Sequence, residues 1–415
     1  MLKAVVFNLG CKVNQYECDV LASELALKGY QTSDTLEYAD LYVVNTCAVT
    51  HEAERKSRQI ISRIKKLNEN AEIIITGCAS QKNQEFYAQK GVKYVSGVGR
   101  KQEILNDVKM GLSTGDFSSP NNYEEPNAVP KSQRTRVYVK IQDGCNNFCT
   151  YCIIPYLRGR SRSRQISSCV EEIVALAKTT DEIVITGVNL AQYGIDNGES
   201  LAKLIQALKN VDVRIRLGSF YVEGINDELL IALSELKEFC PHFHLSLQHG
   251  DDNVLKSMNR KYGTVEYKEK VGLIRKYFPL AAITTDIIVG FPTETEEAFY
   301  NMLTFVKEVG FSDIHIFPYS PREGTKAYDM PRISPEIIKI RKNLLKQIRD
   351  ELNNTYINLM LNSSQKVIFE TKEEGLSVGY SQYYIRIYAQ TDKSCAIIKP
   401  TQKYKDGLLG EIENE

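Results

Sequence analysis

Strand–helix alternation occurs twice in this sequence, and the two runs are separated by a stretch with no periodicity. Within residues 1–110 the apolar runs 3–8, 41–46, 72–77 and 92–97 alternate with amphipathic stretches. Parallel strands require crossovers, and helices at that spacing supply them, so this segment is predicted to be an open parallel α/β domain. Residues 111–133 carry Gly-Leu-Ser-Thr-Gly, Ser-Ser-Pro-Asn-Asn and Pro-Asn-Ala-Val-Pro, turn formers that read as an interdomain linker. Alternation restarts at Arg134, with strand candidates at 137–142, 182–187, 213–217, 242–248, 281–291 and 313–318. Six βα units over 134–361 predict a partial (β/α)6 barrel with functional groups at the strand C-terminal ends, closed by a helix from Ser334 to about Leu361. Residues 362–415 change to Val-, Ile- and Tyr-rich runs broken by Gly and Asp, the pattern of a small all-β module.

Charge excludes little. Lys plus Arg and Asp plus Glu both total 52, so a nucleic-acid partner must be held by local patches. No apolar run approaches the roughly 18 residues of a membrane span. The first ten residues read as a strand and lack a signal-peptide cleavage pattern. A cytoplasmic address and no membrane partner are therefore expected. Ten cysteines in 415 residues are too sparse for a disulfide scaffold.

Their positions are more telling. Cys145, Cys149 and Cys152 form a C-x3-C-x2-C run directly after the first strand of the second alternating run. Three thiolates from one loop can hold three irons of a [4Fe–4S] cluster and leave the fourth iron open to a substrate. A structural zinc site is the rival reading, with His242, His244 or His249 as the fourth ligand. A second set, Cys11, Cys47 and Cys78, recurs about one βα unit apart, each just after a strand. In an open sheet those places converge on the edge beyond the strand carboxyl ends, which points to a metal site. Cys18, Cys169, Cys240 and Cys395 share no such register and are assigned to packing.

The C-x3-C-x2-C loop on a six-unit barrel resembles the radical S-adenosylmethionine superfamily. The whole chain resembles the methylthiotransferases within it, through Asn45-Thr46-Cys47, Thr76-Gly77-Cys78, Cys152-Ile153-Ile154-Pro155, the basic run Arg158 to Arg164, Thr186-Gly187-Val188-Asn189 and the segment Thr285 to Pro292. The opening Leu9-Gly10-Cys11-Lys12-Val13-Asn14-Gln15-Tyr16-Glu17 is similar to the branch acting on N6-threonylcarbamoyladenosine at tRNA position 37. The branches acting on isopentenyladenosine or a ribosomal protein usually differ there. The resemblance implies an N-terminal cluster domain, a radical barrel and a C-terminal TRAM domain. It implies two [4Fe–4S] clusters, on Cys145/Cys149/Cys152 for radical generation and on Cys11/Cys47/Cys78 for the transferred sulfur, and two S-adenosylmethionine molecules, for methyl and radical. The implied partners are the tRNA anticodon stem-loop, an electron donor such as flavodoxin or ferredoxin, and a sulfur donor. Cofactor contacts are expected from Tyr151, Gly187, Asn189, Ser219, Gln248, Ile287 and Val289. Two positions depart from the usual pattern: His249 stands for a serine, and Tyr221 for a glutamate that often serves S-adenosylmethionine, so Tyr221 is left out of the site.

The implied chemistry suits the target. The C–H bond at carbon 2 of adenine is too weakly acidic for a side-chain base near pH 7, so hydrogen-atom abstraction is the expected route. For RNA contact, eight basic residues between Lys131 and Arg164 face one acid, Asp143, and are read as a phosphate or carboxylate patch. Arg55, Lys56, Arg58, Arg63, Lys65 and Lys66 add a basic helix face, and residues 379–405 interleave five tyrosines with cations in a pattern suited to RNA stacking. The contrasting reading is a non-enzymatic Fe–S protein that binds RNA or senses redox state; it would fail to cleave S-adenosylmethionine.

Overall fold

The computed structural model describes residues 2–88, 91–130 and 134–413. At the N-terminus, β1 (Lys3–Asn8), β2 (Gln31–Ser33), β3 (Leu41–Thr46), β4 (Glu72–Gly77) and β5 (Tyr94–Val95) form one parallel sheet in the order β2-β1-β3-β4-β5. Every residue of β3 is buried, as expected of a central parallel strand covered on both faces. Two features differ from expectation. The run 92–97 contracts to two strand residues; just beyond them Ser96 O accepts from the Ser80 hydroxyl, and Gly97 O accepts from both the Thr76 hydroxyl and Gly77 N. The edge strand β2 is three polar residues, too short and too polar to show a period.

The central unit contains β6 (Arg136–Asp143), β7 (Arg162–Ser163), β8 (Glu182–Gly187), β9 (Arg214–Leu217), β10 (Ser219–Phe220), β11 (His242–Leu245), β12 (Ala282–Val289) and β13 (Asp313–Pro318). They pair as two sheets, β7-β6-β8-β9 and β10-β11-β12-β13. The sheets are halves of one curved wall, since β9 and β10 are separated only by Gly218. Its N–H donates to Ile185 O at 2.8 Å, whereas Phe220 O accepts from Ser246 N on the other side. The third barrel strand thus changes partner at a glycine. The short β7 is an antiparallel addition beside β6. One buried apolar cluster, running from Val137 to Ile348 in sequence, fills the space between strands and outer helices.

The helix Pro335–Leu359 is capped by Ser334 Oγ, which accepts from Ile337 N, and has proline in its first turn. It leads into a closed five-stranded barrel of β14 (Gln365–Glu373), β15 (Leu376–Ser381), β16 (Arg386–Ala389), β17 (Cys395–Tyr404) and β18 (Gly407–Ile412). This barrel is fastened to the central one by Arg214 and Arg216. Both guanidinium groups pair with the fully buried Glu182, and they also donate to the carbonyls of Lys366, Tyr380 and Ser381. Segment 111–130 is a pinned strap, not a loose tether: Phe117 O accepts from Gln81, Tyr123 donates to Lys140 O, and Glu125 pairs with Arg164. No described helix is long and apolar enough to cross a membrane.

One buried carboxyl gives a pH signature. Glu24, on the helix Lys12–Leu27, has Oε1 buried without a partner, and burial, opposed by hydrogen bonding from Asn127, raises its pKa from 4.5 to about 7. The stability this raised group confers is complete below pH 4.5 and is lost as pH rises through about 7. Glu24→Gln is expected to flatten the fall in Tm between pH 5 and pH 8. An unchanged fall would mean that another group titrates.

Candidate active site

The first cysteine set is gathered by the sheet order. β1, β3 and β4 are adjacent, so Cys11, Cys47 and Cys78, each directly following or close behind one of these strands, meet at one sheet edge. All three border a cavity of about 680 Å³. Cys11 is exposed and its thiol donates to Asn14 Oδ1 at 3.2 Å, while Cys47 and Cys78 are buried. The backbone around them is tightly built. Gly77 has φ +107°, and a Cβ there would lie 2.4 Å from Asn45 Oδ1 and 2.5 Å from Thr46 O, so only glycine allows Cys78 to turn back toward Cys47. Asn45 in turn accepts from Asn14 and donates to Glu17. Burial pushes the Cys47 thiol up to about 12, so a proton must leave when a metal binds there.

The second set lies on the loop after β6. Gly144 makes the turn at φ +70°, where a Cβ would collide with Arg160 O at 1.9 Å. Gln142 holds both sides of the turn: its amide donates to the carbonyls of Asp143 and Gly144, and its Oε1 accepts from Asn189 N at 2.8 Å. Thr150 ties the loop across the barrel to Ser257 O and Met258 O. Cys145 and Cys149 are buried and Cys152 is half-buried, with burial raising Cys152 to about 12.

The zinc reading requires closely spaced thiols and a fourth ligand. A tetrahedral zinc with Zn–S bonds of about 2.3 Å brings its sulfurs to roughly 3.8 Å. Among the described residues, the one group of ligand atoms lying within 4.8 Å of one another is His244, Asp286 and His315, and neither cysteine triad is drawn so close. The proposed fourth zinc ligands are also engaged elsewhere. His249 Nε2 faces Glu294 at 3.2 Å, His242 faces Thr284, and His244 pairs with Asp286.

Arg158 joins the two cysteine sets. It is 1% exposed and bonds Asn14, Glu17 and Asp143, and its charge also acts on Cys78. Lys101 and Lys140 complete the cluster around Glu17, with Lys140 and Arg162 also pairing with Asp143. Ile153 and Leu157, just beyond Cys152, enter the core of the N-terminal domain beside Cys78. This corrects the reading of the basic run as a phosphate patch. Lys140, Arg158, Arg162 and Arg164 are buried, and all four are paired with acids that lie far off in sequence or inside the fold. Arg134 and Arg136 pair with Asp34 and Glu370. Arg160 stacks on Phe148, and Lys131 lies outside the described residues.

The expected cofactor contacts divide. Gly187 and Ser219 border the cavity. Asn189 is buried, with Nδ2 at 3.8 Å from Cys145 Sγ and its oxygen capping Ala191 N. Gln248, at φ +74°, bridges to β12 through its own N–H and carbonyl. The side chains of Ile287 and Val289 are wholly buried in the core behind the wall, which leaves their backbone as the part open to a contact, and the pleat turns Ile288 to the opposite face, with Tyr151 and Phe291. Two residues outside the expected set stand beside the loop. Arg260 is buried with Nη1 3.5 Å from Cys149 Sγ, and its guanidinium covers the Tyr221 ring at 4.2 Å. Tyr221 thus occupies the space at its position as a platform for a cation. No motif flags Arg260, since its role depends on a contact across the barrel.

The C-terminal barrel supplies the last wall. Tyr380, Tyr383 and Tyr384 border the same cavity, with Tyr384 stacked on His242 at 4.8 Å and on Tyr380 at 5.0 Å. Tyr388 and Tyr404 pack on each other at 4.9 Å, beside Lys405.

Comparison with known proteins agrees with this arrangement. Residues 139–306 match the radical SAM superfamily, and residues 3–97 match a family described as uncharacterized protein family UPF0004. The threonylcarbamoyladenosine tRNA methylthiotransferase MtaB of Thermotoga maritima is 40% identical over 91% of this chain and 89% of its own. The protein of that name from Bacillus subtilis is 36% identical over 93% and 90%. A tRNA-2-methylthio-N(6)-dimethylallyladenosine synthase of Thermosipho melanesiensis is 34% identical over 99% and 98%. Among solved structures, the radical S-adenosylmethionine methyltransferase TsrM of Kitasatospora setae superposes with TM-score 0.59 at 14% identity, covering 79% of this chain and 77% of that one, a likeness of fold.

Proposed function

Because this chain belongs to the methylthiotransferase family of radical S-adenosylmethionine enzymes, we propose that it adds a methylthio group to carbon 2 of N6-threonylcarbamoyladenosine at position 37 of tRNA. The observation that carries this reading is the Cys11/Cys47/Cys78 set on a protein-walled cavity, together with Arg158, which borders that cavity, acts on Cys78 and bonds Asp143 two residues before Cys145. When bound, [4Fe–4S] clusters on Cys145/Cys149/Cys152 and on Cys11/Cys47/Cys78 would supply, respectively, the electron that cleaves S-adenosylmethionine and the sulfur that is transferred. The chain's own contribution is placement. Gln142 and Gly144 fix the radical loop against Asn189, just beyond the end of β8. Gly77, Asn45 and Asn14 hold the Cys11/Cys47/Cys78 triad beside the cavity. The tyrosines of the C-terminal barrel narrow the opening, keeping water from a reactive radical and offering flat faces to a base. A flavodoxin or ferredoxin as electron donor and a separate sulfur donor belong to the same reading.

Mass spectrometry of tRNA nucleosides from a strain deleted for this gene tests it. The expected result is loss of the methylthio derivative of threonylcarbamoyladenosine, with the unmethylthiolated nucleoside accumulating in its place. Loss of methylthio-isopentenyladenosine instead would move the substrate to the other tRNA branch, and unchanged nucleosides would defeat the reading.

A further inference from the structure

The cavity beside Cys11, Cys47 and Cys78 is lined by cations that are almost all spoken for. Arg158 is tied to Glu17 and Asp143, Arg216 to Glu182, and Arg386 to Glu373 and Asp406. Among the described residues lining it, Lys12 is the one lysine or arginine with neither an ion pair nor a side-chain hydrogen bond, and it is exposed to that space. The acids on the same walls are engaged as well. Asp286 is held at 3.2 Å by both His244 and His315, Asp406 accepts from Arg386 and Tyr388, and Asp313 accepts from Ile314 N and lies 4.0 Å from Arg349. Asp286 acts on Lys12 only through space, and an ammonium with no ion pair or hydrogen bond of its own inside a lined cavity is a binding group for an anion.

Its position narrows the anion. Lys12 follows Cys11, on the wall from which sulfur would be delivered to carbon 2 of the base. Within adenine, a single ring atom, N1, separates carbon 2 from the carbon that bears the N6 substituent. A base presenting carbon 2 to Cys11, Cys47 and Cys78 therefore carries its N6 substituent along the same wall. The threonylcarbamoyl substituent ends in a carboxylate, whereas an isopentenyl group has no charge to offer.

Resting on the function proposed above, we propose that Lys12 binds the carboxylate of the threonylcarbamoyl group and is the residue that selects an acidic N6 substituent over an apolar one. An apolar substituent would leave the ammonium desolvated and unpaired, so Lys12 both attracts the one and rejects the other.

The test uses the reconstituted holoenzyme and three anticodon stem-loop RNAs, carrying threonylcarbamoyladenosine, its methyl ester, or isopentenyladenosine. KM and kcat are measured for methylthiolation with the wild type, Lys12→Met and Lys12→Arg. Loss of a charge-assisted contact is expected to raise the KM of Lys12→Met for the carboxylate RNA by about tenfold to a hundredfold. Lys12→Arg should recover part of it, and the ester RNA should show no comparable rise on substitution. Relative use of the isopentenyl RNA should increase in Lys12→Met. An equal rise for carboxylate and ester RNAs would overturn the assignment, and a rise confined to the KM for S-adenosylmethionine would give Lys12 to the methionyl carboxylate and overturn it too. If the wild type methylthiolates neither the carboxylate nor the ester RNA, the proposed function falls and takes this inference with it. If the wild type is active and Lys12→Met behaves alike, this inference falls alone.

Discussion

Serine in place of Cys145, Cys149 or Cys152 is expected to abolish both release of 5′-deoxyadenosine and methylthiolation, whereas serine at Cys11, Cys47 or Cys78 should abolish methylthiolation while leaving 5′-deoxyadenosine release. Each loss should be roughly a hundredfold or more, since removing one of three thiolates removes a ligand that no neighbour can replace. The separation into two phenotypes follows from the architecture. The radical loop is built by Gln142, Gly144 and Thr150, all within the central unit. The other triad depends on Gly77, Asn45 and Asn14 in the N-terminal sheet. Iron content and 5′-deoxyadenosine yield of each purified variant, set beside methylthio product, check it. A Cys47→Ser protein that still transferred sulfur at the wild-type rate would remove that triad from the reaction.

Arg158→Met should be the most destabilising substitution outside the cysteines. It strands Glu17 and Asp143 in the interior without their shared guanidinium, a loss of about 3–5 kcal/mol for breaking a buried ion pair. Burial alone would raise both carboxyls. Arg158 and Lys140, joined by Lys101 at Glu17 and by Arg162 at Asp143, outweigh that and hold both below the usual carboxylate range. A lowered carboxyl confers stability that is complete above its unfolded pKa and is lost as pH falls toward the folded one, so the wild type should weaken progressively below about pH 4.5. The variant should show a lower Tm at neutral pH and a shallower additional loss in acid. Adding Glu17→Gln to Arg158→Met should recover part of the Tm, because it removes one of the stranded charges. Thermal unfolding at pH 7 of the single and double variants measures both effects, and a Tm of Arg158→Met equal to that of the wild type would show that Lys101 and Lys140 suffice.

The strands with an unbroken apolar run, such as β3, β4 and β8, were readable in the sequence because burial on both faces writes itself directly into composition. The cysteine positions were readable for a related reason: each closely follows such a strand. What sequence could not show is who pairs with whom. Arg158, Arg162 and Arg164 look like a solvated basic run until Glu17, Asp143 and Glu172 are brought to them by folding. Which face each residue of the 287–289 strand presents was likewise not legible: Ile287 and Val289 lie in the core and Ile288 on the other face. Arg260 had no signal, since its neighbours Cys149 and Tyr221 come from other barrel units.

Tyr380, Tyr383 and Tyr384 are made by the ribosome more than 350 residues after Lys12 and Cys11, on the opposite wall of the same cavity. During synthesis, all six cysteines of the two triads are therefore made while the cavity beside Cys11, Cys47 and Cys78 still lacks its tyrosine wall, which the C-terminal strands then supply. Proteins that deliver iron and sulfide have a wide approach to the nascent chain that the finished enzyme no longer offers. Reloading a mature molecule that has lost its iron must proceed through the tyrosine-lined mouth instead, or wait for the C-terminal barrel to lift from Arg214 and Arg216.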